Sequence, residues 1–417
     1  MTKLYALPPD HAPSEDILHL VNLDQSKQPL IPRLQLLNWT TSRLSLPWLH
    51  LFLSPSISEI HIDLNGGRTT PVNVAVIKAL PSIYLKHIAF SNLHTNTEVN
   101  TALLDLVCKA TRLESVYIQQ ENDLDHMGPL DDQVEGGREP PELRSLRSIT
   151  IAFKKEFSFL PSLLDKTTLP SVQQIHLQHL GRTEWLGPDR LFDSMLRSAS
   201  PDILHALRYT SHYQGMDITS ARIQLLRSFV ALRTVRVTSS CSSGHCKFFL
   251  SDDDISTIAT AMPNLVELHL GGTPCASTLV NVSMESLVTL SSNCAKLRDL
   301  QTHFDTAGFI NRALDVPNEH IPPLQITLKT CQLAQLTVGR IPLPLGRGMD
   351  GYWTVGMALL QIFPNLKSIK YHQSTVFGVG DWGEVSRVIK VQRKVANLMS
   401  GTSDQFTRVR ASNTPLV

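Results

Sequence analysis

Three short stretches carry residue types able to do chemistry. Gly378-Val379-Gly380-Asp381-Trp382-Gly383 matches G-x-G-x-x-G, the spacing that lets backbone approach a pyrophosphate. A dinucleotide site also needs a βαβ unit and an acidic residue on a second strand about 20 residues further on. Nothing strand-like follows in that window, so a glycine-rich turn into a helix accounts for the match. Cys241-Ser242-Ser243-Gly244-His245-Cys246 offers half of a zinc site, but structural zinc wants four Cys/His ligands in two clusters and no second cluster is present. A Ser-rich loop explains it. Asp252-Asp253-Asp254 has the charge for a divalent cation, yet the same residues after Ser251 are what a capped helix start requires. No phosphate-binding loop G-x-x-x-x-G-K-[ST] and no G-x-S-x-G nucleophile turn occurs. The expectation is a chain without catalytic residues, cofactor or metal.

The elements that would position any site are more informative. Met262-Pro263-Asn264-Leu265-Val266-Glu267-Leu268-His269-Leu270 contains Leu-x-x-Leu-x-Leu, a short strand with alternate apolar residues turned inward. Equivalent triplets run Leu34-Leu37-Trp39, Ile57-Ile60-Ile62, Leu85-Ile88-Phe90, Leu113-Val116-Ile118, Leu146-Ile149-Ile151 and Val172-Ile175-Leu177. They continue as Leu204-Leu207-Tyr209, Leu232-Val235-Val237, Leu265-Leu268-Leu270, Leu297-Leu300-Thr302, Leu333-Leu336-Val338 and Leu366-Ile369-Tyr371. Their mean spacing is about 30 residues, within the range of leucine-rich repeats or just above it. Pro32, Pro55, Pro170, Pro263 and Pro364 each stand two residues before an anchor, where proline stops a helix and starts an extended path. Helices are expected over Thr97–Ala110, Arg190–Arg197, Ser220–Phe229, from Ser251, over Ser283–Ser292, Thr354–Phe363 and Glu384–Met399. The fold class that follows is α/β, a leucine-rich-repeat solenoid (horseshoe). Its curved parallel sheet lies on the concave face and its helices on the convex face. Residues 1–30 form an N-terminal segment with one helix expected near Ser14–Val21. Residues 31–375 hold about twelve repeats, and residues 376–417 a capping helix and a loose polar tail.

Side chains between the apolar positions point to the opposite, concave face. The central ones are Asn38, His61, Ala89, Tyr117, Thr150, His176, Arg208, Arg236, His269, Gln301, Thr337 and Lys370. Glu59, His87, Glu267, Asp299, His303 and His372 share that face. From these, His61, Tyr117, His176, Arg208, Arg236, His269, His303 and Lys370 are the candidate partner-binding residues. The set reads as a polar, partly titratable groove for a protein or peptide. It reads equally as the polarity that any exposed strand face must have. Arg208 and Arg236, on successive strands, are the best candidates for an anionic contact.

Composition narrows the partner class. The 417 residues carry 38 Lys+Arg against 37 Asp+Glu, a net charge of +1, so nothing global favours nucleic acid or an anionic membrane. No apolar run reaches the roughly 18 residues of a transmembrane helix, and the opening residues lack the apolar stretch of a secretory signal. Six scattered cysteines suit reduced thiols, and a cytoplasmic or nuclear location is expected. Gln119–Pro141, Ser239–Lys247 and Gly339–Tyr352 are expected to be surface loops.

The irregular period, the Pro-Asn-Leu and Pro-Ser-Val anchors, and Asn293-Cys294-Ala295-Lys296-Leu297 resemble the repeat half of F-box proteins. Leu46-Pro47-Trp48-Leu49 and Phe363-Pro364-Asn365-Leu366 look most like the fungal members. The resemblance spans roughly residues 30 to 375. It implies a substrate-recognition subunit of a ubiquitin ligase, whose repeats capture a target while an N-terminal F-box docks the cullin-ligase adaptor. An F-box starts Leu-Pro-x-Glu and runs some 40 to 50 residues in that family. Here Leu7-Pro8-Pro9-Asp10 stands close before the repeats, so the box is expected to be truncated or degenerate. The alternative is a stand-alone repeat scaffold that binds partners without the adaptor.

Overall fold

In the computed structural model of the chain, most anchor residues close a tight turn. The N–H of Leu34, Ile57, Leu113, Val172, Leu265, Leu297 and Leu366 donates to the carbonyl three positions earlier. Pro32, Pro55, Pro170, Pro263 and Pro364 therefore occupy the second position of a β-turn, where a fixed φ near −65° is already the one required. The proline works by preforming the turn that feeds each strand, as well as by ending what precedes it.

The structure describes residues 2–4, 29–40, 49, 51–64, 70–81, 84–93, 96–120, 142–154, 159–181, 194–212, 218–239, 248–271, 282–304, 331–338, 343, 348–371 and 382–412. The chain divides into two units, residues 1–214 with 228–232, and residues 215–227 with 233–417. Both are α/β with parallel strands.

In the first unit the strands are β1 (Thr2–Leu4), β2 (Leu34–Thr40), β3 (Glu59–Asp63), β4 (His87–Leu93), β5 (Ser115–Gln120), β6 (Ser148–Phe153), β7 (Gln174–His179) and β8 (Ala206–Ser211). Each pairs in parallel with the next. Helices Thr70–Ala79, Thr97–Lys109 and Phe159–Lys166 lie between them in sequence. The second unit holds β9 (Ile218–Thr219) and β11 (Phe248–Phe249), which pair with each other. It also holds β10 (Thr234–Ser239), β12 (Glu267–Leu270), β13 (Asp299–Thr302), β14 (Gln335–Val338) and β15 (Ser368–Tyr371), paired in parallel in that order. Its helices are Ser220–Leu226, Asp252–Ala261, Met284–Asn293, Gly348–Ile362 and Trp382–Ser412.

A second repeating bond ties strand to strand. The carbonyl of the residue before each strand takes two N–H groups from the next copy. Lys86 O accepts from Glu114 and Ser115, Glu114 O from Arg147 and Ser148, and Val266 O from Arg298 and Asp299. The inward side of these strands is dry in each unit: every residue of the twelve triplets is buried except Tyr371. Each such aliphatic side chain contributes about 1.5–3 kcal/mol by leaving water. A one-residue slip would turn the whole set to the other face, so the register is firmly held.

Several boundaries differ from expectation. Helix Gly348–Ile362 begins inside the stretch expected to be a loop up to Tyr352. The last helix runs on to Ser412, into the polar stretch expected to be a loose tail. Its buried stripe is Trp382, Val385, Val388 and Ile389, whereas Val391 and Val395 are exposed. It still covers a strand edge: Arg393 donates to the carbonyls of Leu366 and Pro364 at the final turn, both at 2.5 Å. β1 was not expected. The Ser14–Val21 helix, Leu7-Pro8-Pro9-Asp10, the Cys241–Cys246 loop, Gly378–Gly380 and His372 lie outside the described residues.

Candidate functional site

The strand register brings the expected polar row together. In the first unit Asn38 pairs with His61, His61 with Ala89, Ala89 with Tyr117, Tyr117 with Thr150, Thr150 with His176 and His176 with Arg208. In the second, Arg236 pairs with His269, then Gln301, Thr337 and Lys370. Consecutive members sit on neighbouring strands, within reach of one partner segment laid across them.

In the first unit this face opens as a groove of about 700 Å³, lined by Asn38, Glu59, His61, Asp63, His87 and Tyr117 among others. Its side chains are held by short local bonds. His61 Nε2 is 3.0 Å from Glu59 Oε1, with the His61 side chain 46% exposed. His87 Nδ1 lies 2.8 Å from Ser115 Oγ. The Tyr117 hydroxyl donates to Gln119 Oε1 at 3.1 Å, and burial pushes its pKa above the ordinary tyrosine value. At the rim, Asn92 adopts φ 55°, a left-handed conformation that asparagine tolerates better than most residues. This bulge between Phe90 and Leu93 places the Asn92 amide 2.7 Å from Asp63 Oδ1. Further along, His176 Nε2 is 3.3 Å from Gln178 Nε2, and Arg208 is half-buried.

The same row in the second unit is more enclosed. Arg236 directs two guanidinium nitrogens at Glu267 Oε1. His269 Nε2 stands 3.4 Å from Glu267 Oε1 and 3.2 Å from Asp299 Oδ1. Gln335 Nε2 reaches both Asp299 oxygens at 3.2 Å. Burial works to raise the Asp299 carboxyl, but His269, Gln335 and Lys370 together hold it below the ordinary range. Gln301 and Thr337 are buried, and Gln301 donates to the Gly271 carbonyl at 2.8 Å. His303 follows β13 on the outward side of the alternation but is only 3% exposed, so it presents no open surface. Lys370 is exposed. Arg208 and Arg236 fall in different units.

The triple aspartate is a helix start. Asp254 completes a capping box with Ser251 and accepts the Ser220 hydroxyl, while Asp252 Oδ1 takes the Ser283 N–H and the Ser286 hydroxyl. The thiols of Cys294 and Cys331 are likewise spent on carbonyls, Cys294 on Ala259 and Met262 at 3.7 Å, Cys331 on Cys294 and Leu297. Burial pushes Cys294 up to about 12 and raises Cys331. Neither supplies a thiolate near neutral pH. No helix among the described residues is long and apolar enough to cross a membrane.

No protein-family model matches the chain, and no curated protein resembles it closely enough to count as a relative.

Proposed function

We propose that this chain is a non-catalytic binding module, a leucine-rich-repeat solenoid of horseshoe shape whose polar strand face takes a protein or peptide partner. The observation that carries this reading is the continuous row from Asn38 to Arg208. Seven successive strands contribute one side chain each to a single line in direct register. Rigid strands spaced about 4.8 Å apart offer contacts at a fixed pitch, which suits an extended or helical partner segment. Tyr117 adds aromatic area with a polar tip, the kind of side chain that dominates interfaces, and His61 and His176 add polar ring nitrogens beside it.

The narrower proposal rests on the resemblance to F-box proteins. On it the module is the substrate-recognition part of a ubiquitin ligase subunit, and the N-terminal segment docks the cullin-ligase adaptor. Deleting residues 1–30 would also remove β1, which pairs with β2, so the test uses substitutions. The adaptor is expected to bind the full chain and to be lost from the variant Leu7→Ala, Pro8→Ala, Ile17→Ala, Leu18→Ala. Absence of adaptor binding by the unaltered chain refutes the ligase assignment and leaves a stand-alone scaffold.

A further inference from the structure

We propose that Glu267, His269 and Asp299 form a binding site for a divalent first-row transition ion, with zinc as the reference case. Glu267 and Asp299 begin β12 and β13 and are direct register partners, and His269 follows Glu267 by two residues on the same face. The three donor atoms all lie within 4.8 Å of one another. From His269 Nε2 the two carboxylate oxygens are 3.2 and 3.4 Å away. Donors bound tetrahedrally at about 2.0–2.1 Å stand roughly 3.3 Å apart, close to these two separations.

The imidazole supplies the second observation. His269 Nε2 is buried from solvent and stands within ion-pair distance of two carboxylates without a well-aligned hydrogen bond to either. A buried ring nitrogen is ordinarily satisfied. One imidazole nitrogen and two carboxylate oxygens converging on a common point are a donor set that suits zinc and its neighbours. Arg236 on Glu267 and Gln335 on Asp299 then act as outer partners that fix the carboxylates, as ligating carboxylates usually require. The Arg236 charge also weakens the field at the site, so moderate rather than extreme affinity is expected. Asp299 is 28% exposed and the other two side chains 12%, which leaves an approach for a fourth donor from water or from a partner.

The full chain, stripped with chelator, is titrated with zinc and with cobalt(II) by calorimetry and absorbance. Parent and variants alike carry Cys241→Ser and Cys246→Ser, to remove the other ligand-rich stretch. One bound ion is expected, weakened about tenfold or more in His269→Gln and in Asp299→Asn. Circular dichroism establishes that each variant is folded. X-ray absorption on the zinc-loaded parent, which needs no variant at the site, should show a nitrogen/oxygen shell with an imidazole and no sulfur. Equal binding by parent and folded variants, no binding by the parent, or a sulfur-containing shell overturns the proposal.

Discussion

Gly181 lies directly against the backbone of Lys154: a Cβ built on it would fall 1.3 Å from the Lys154 carbonyl oxygen. Leu180 beside it donates its N–H to Phe153 O at 2.6 Å, so the segment after β7 is fastened to the end of β6. No rotamer change relieves a clash with backbone. Gly181→Ala is expected to destabilise the first unit by at least about 2 kcal/mol, as overpacking does, lowering its urea midpoint. An unchanged midpoint would mean that the backbone here moves freely.

The Ser251–Asp254 capping box starts helix Asp252–Ala261 with Asp254 buried. Burial raises its carboxyl, but hydrogen bonds from Ser220, Ser251 and Gln224 outweigh that and hold it below the ordinary range. A depressed carboxylate stabilises the fold above its unfolded value. That contribution is lost as pH falls below about 4. Asp254→Asn is expected to cost about 1–2 kcal/mol at pH 7 and to flatten this acid limb in pH-dependent thermal unfolding.

His179 is buried at the end of β7 and stacks on Phe153, ring centroids 5.1 Å apart. Burial lowers its proton affinity, the Lys154 carbonyl partly offsets this, and His212 lowers it further. The folded state thus binds fewer protons than the unfolded chain below about pH 6.5. Stability should fall as pH drops through that value toward the lower folded one. Chemical denaturation between pH 7.5 and 5 tests this, with His179→Asn expected to lose that component of the slope.

Cys294 and Cys331 should resist alkylation in the native protein and react on unfolding, because their thiols are buried, protonated and bonded to carbonyls. Peptide mapping after a native-state iodoacetamide pulse tests it. Ready labelling of either residue would show that the turn stack opens easily.

The dry face was legible in sequence because strand alternation and the turn proline are local rules. Leu265, Leu268 and Leu270 announce a strand, and Pro263 its start, without reference to any other part of the chain. The polar row was legible for the same reason, since the residue between two inward side chains must point outward. Its exposure was not. Gln301, Thr337 and His303 point outward by alternation and are nevertheless enclosed, which periodicity cannot report. The Glu267–His269–Asp299 cluster was missed likewise. Its members were noted one by one on the face, but only the parallel register places Asp299 opposite Glu267. His179 gave no signal, as nothing local marks it as buried.

The central claim is that the row on the first unit's strands takes a protein partner. The most direct measurement is affinity capture with quantitative mass spectrometry, comparing the unaltered chain with His61→Ala, Tyr117→Ala, His176→Ala and with a helix-surface control, Lys109→Ala. The account predicts a partner recovered equally by the parent and the control, and reduced about tenfold or more by the folded triple variant. Recovery of the same partner at the same yield by all three would contradict it.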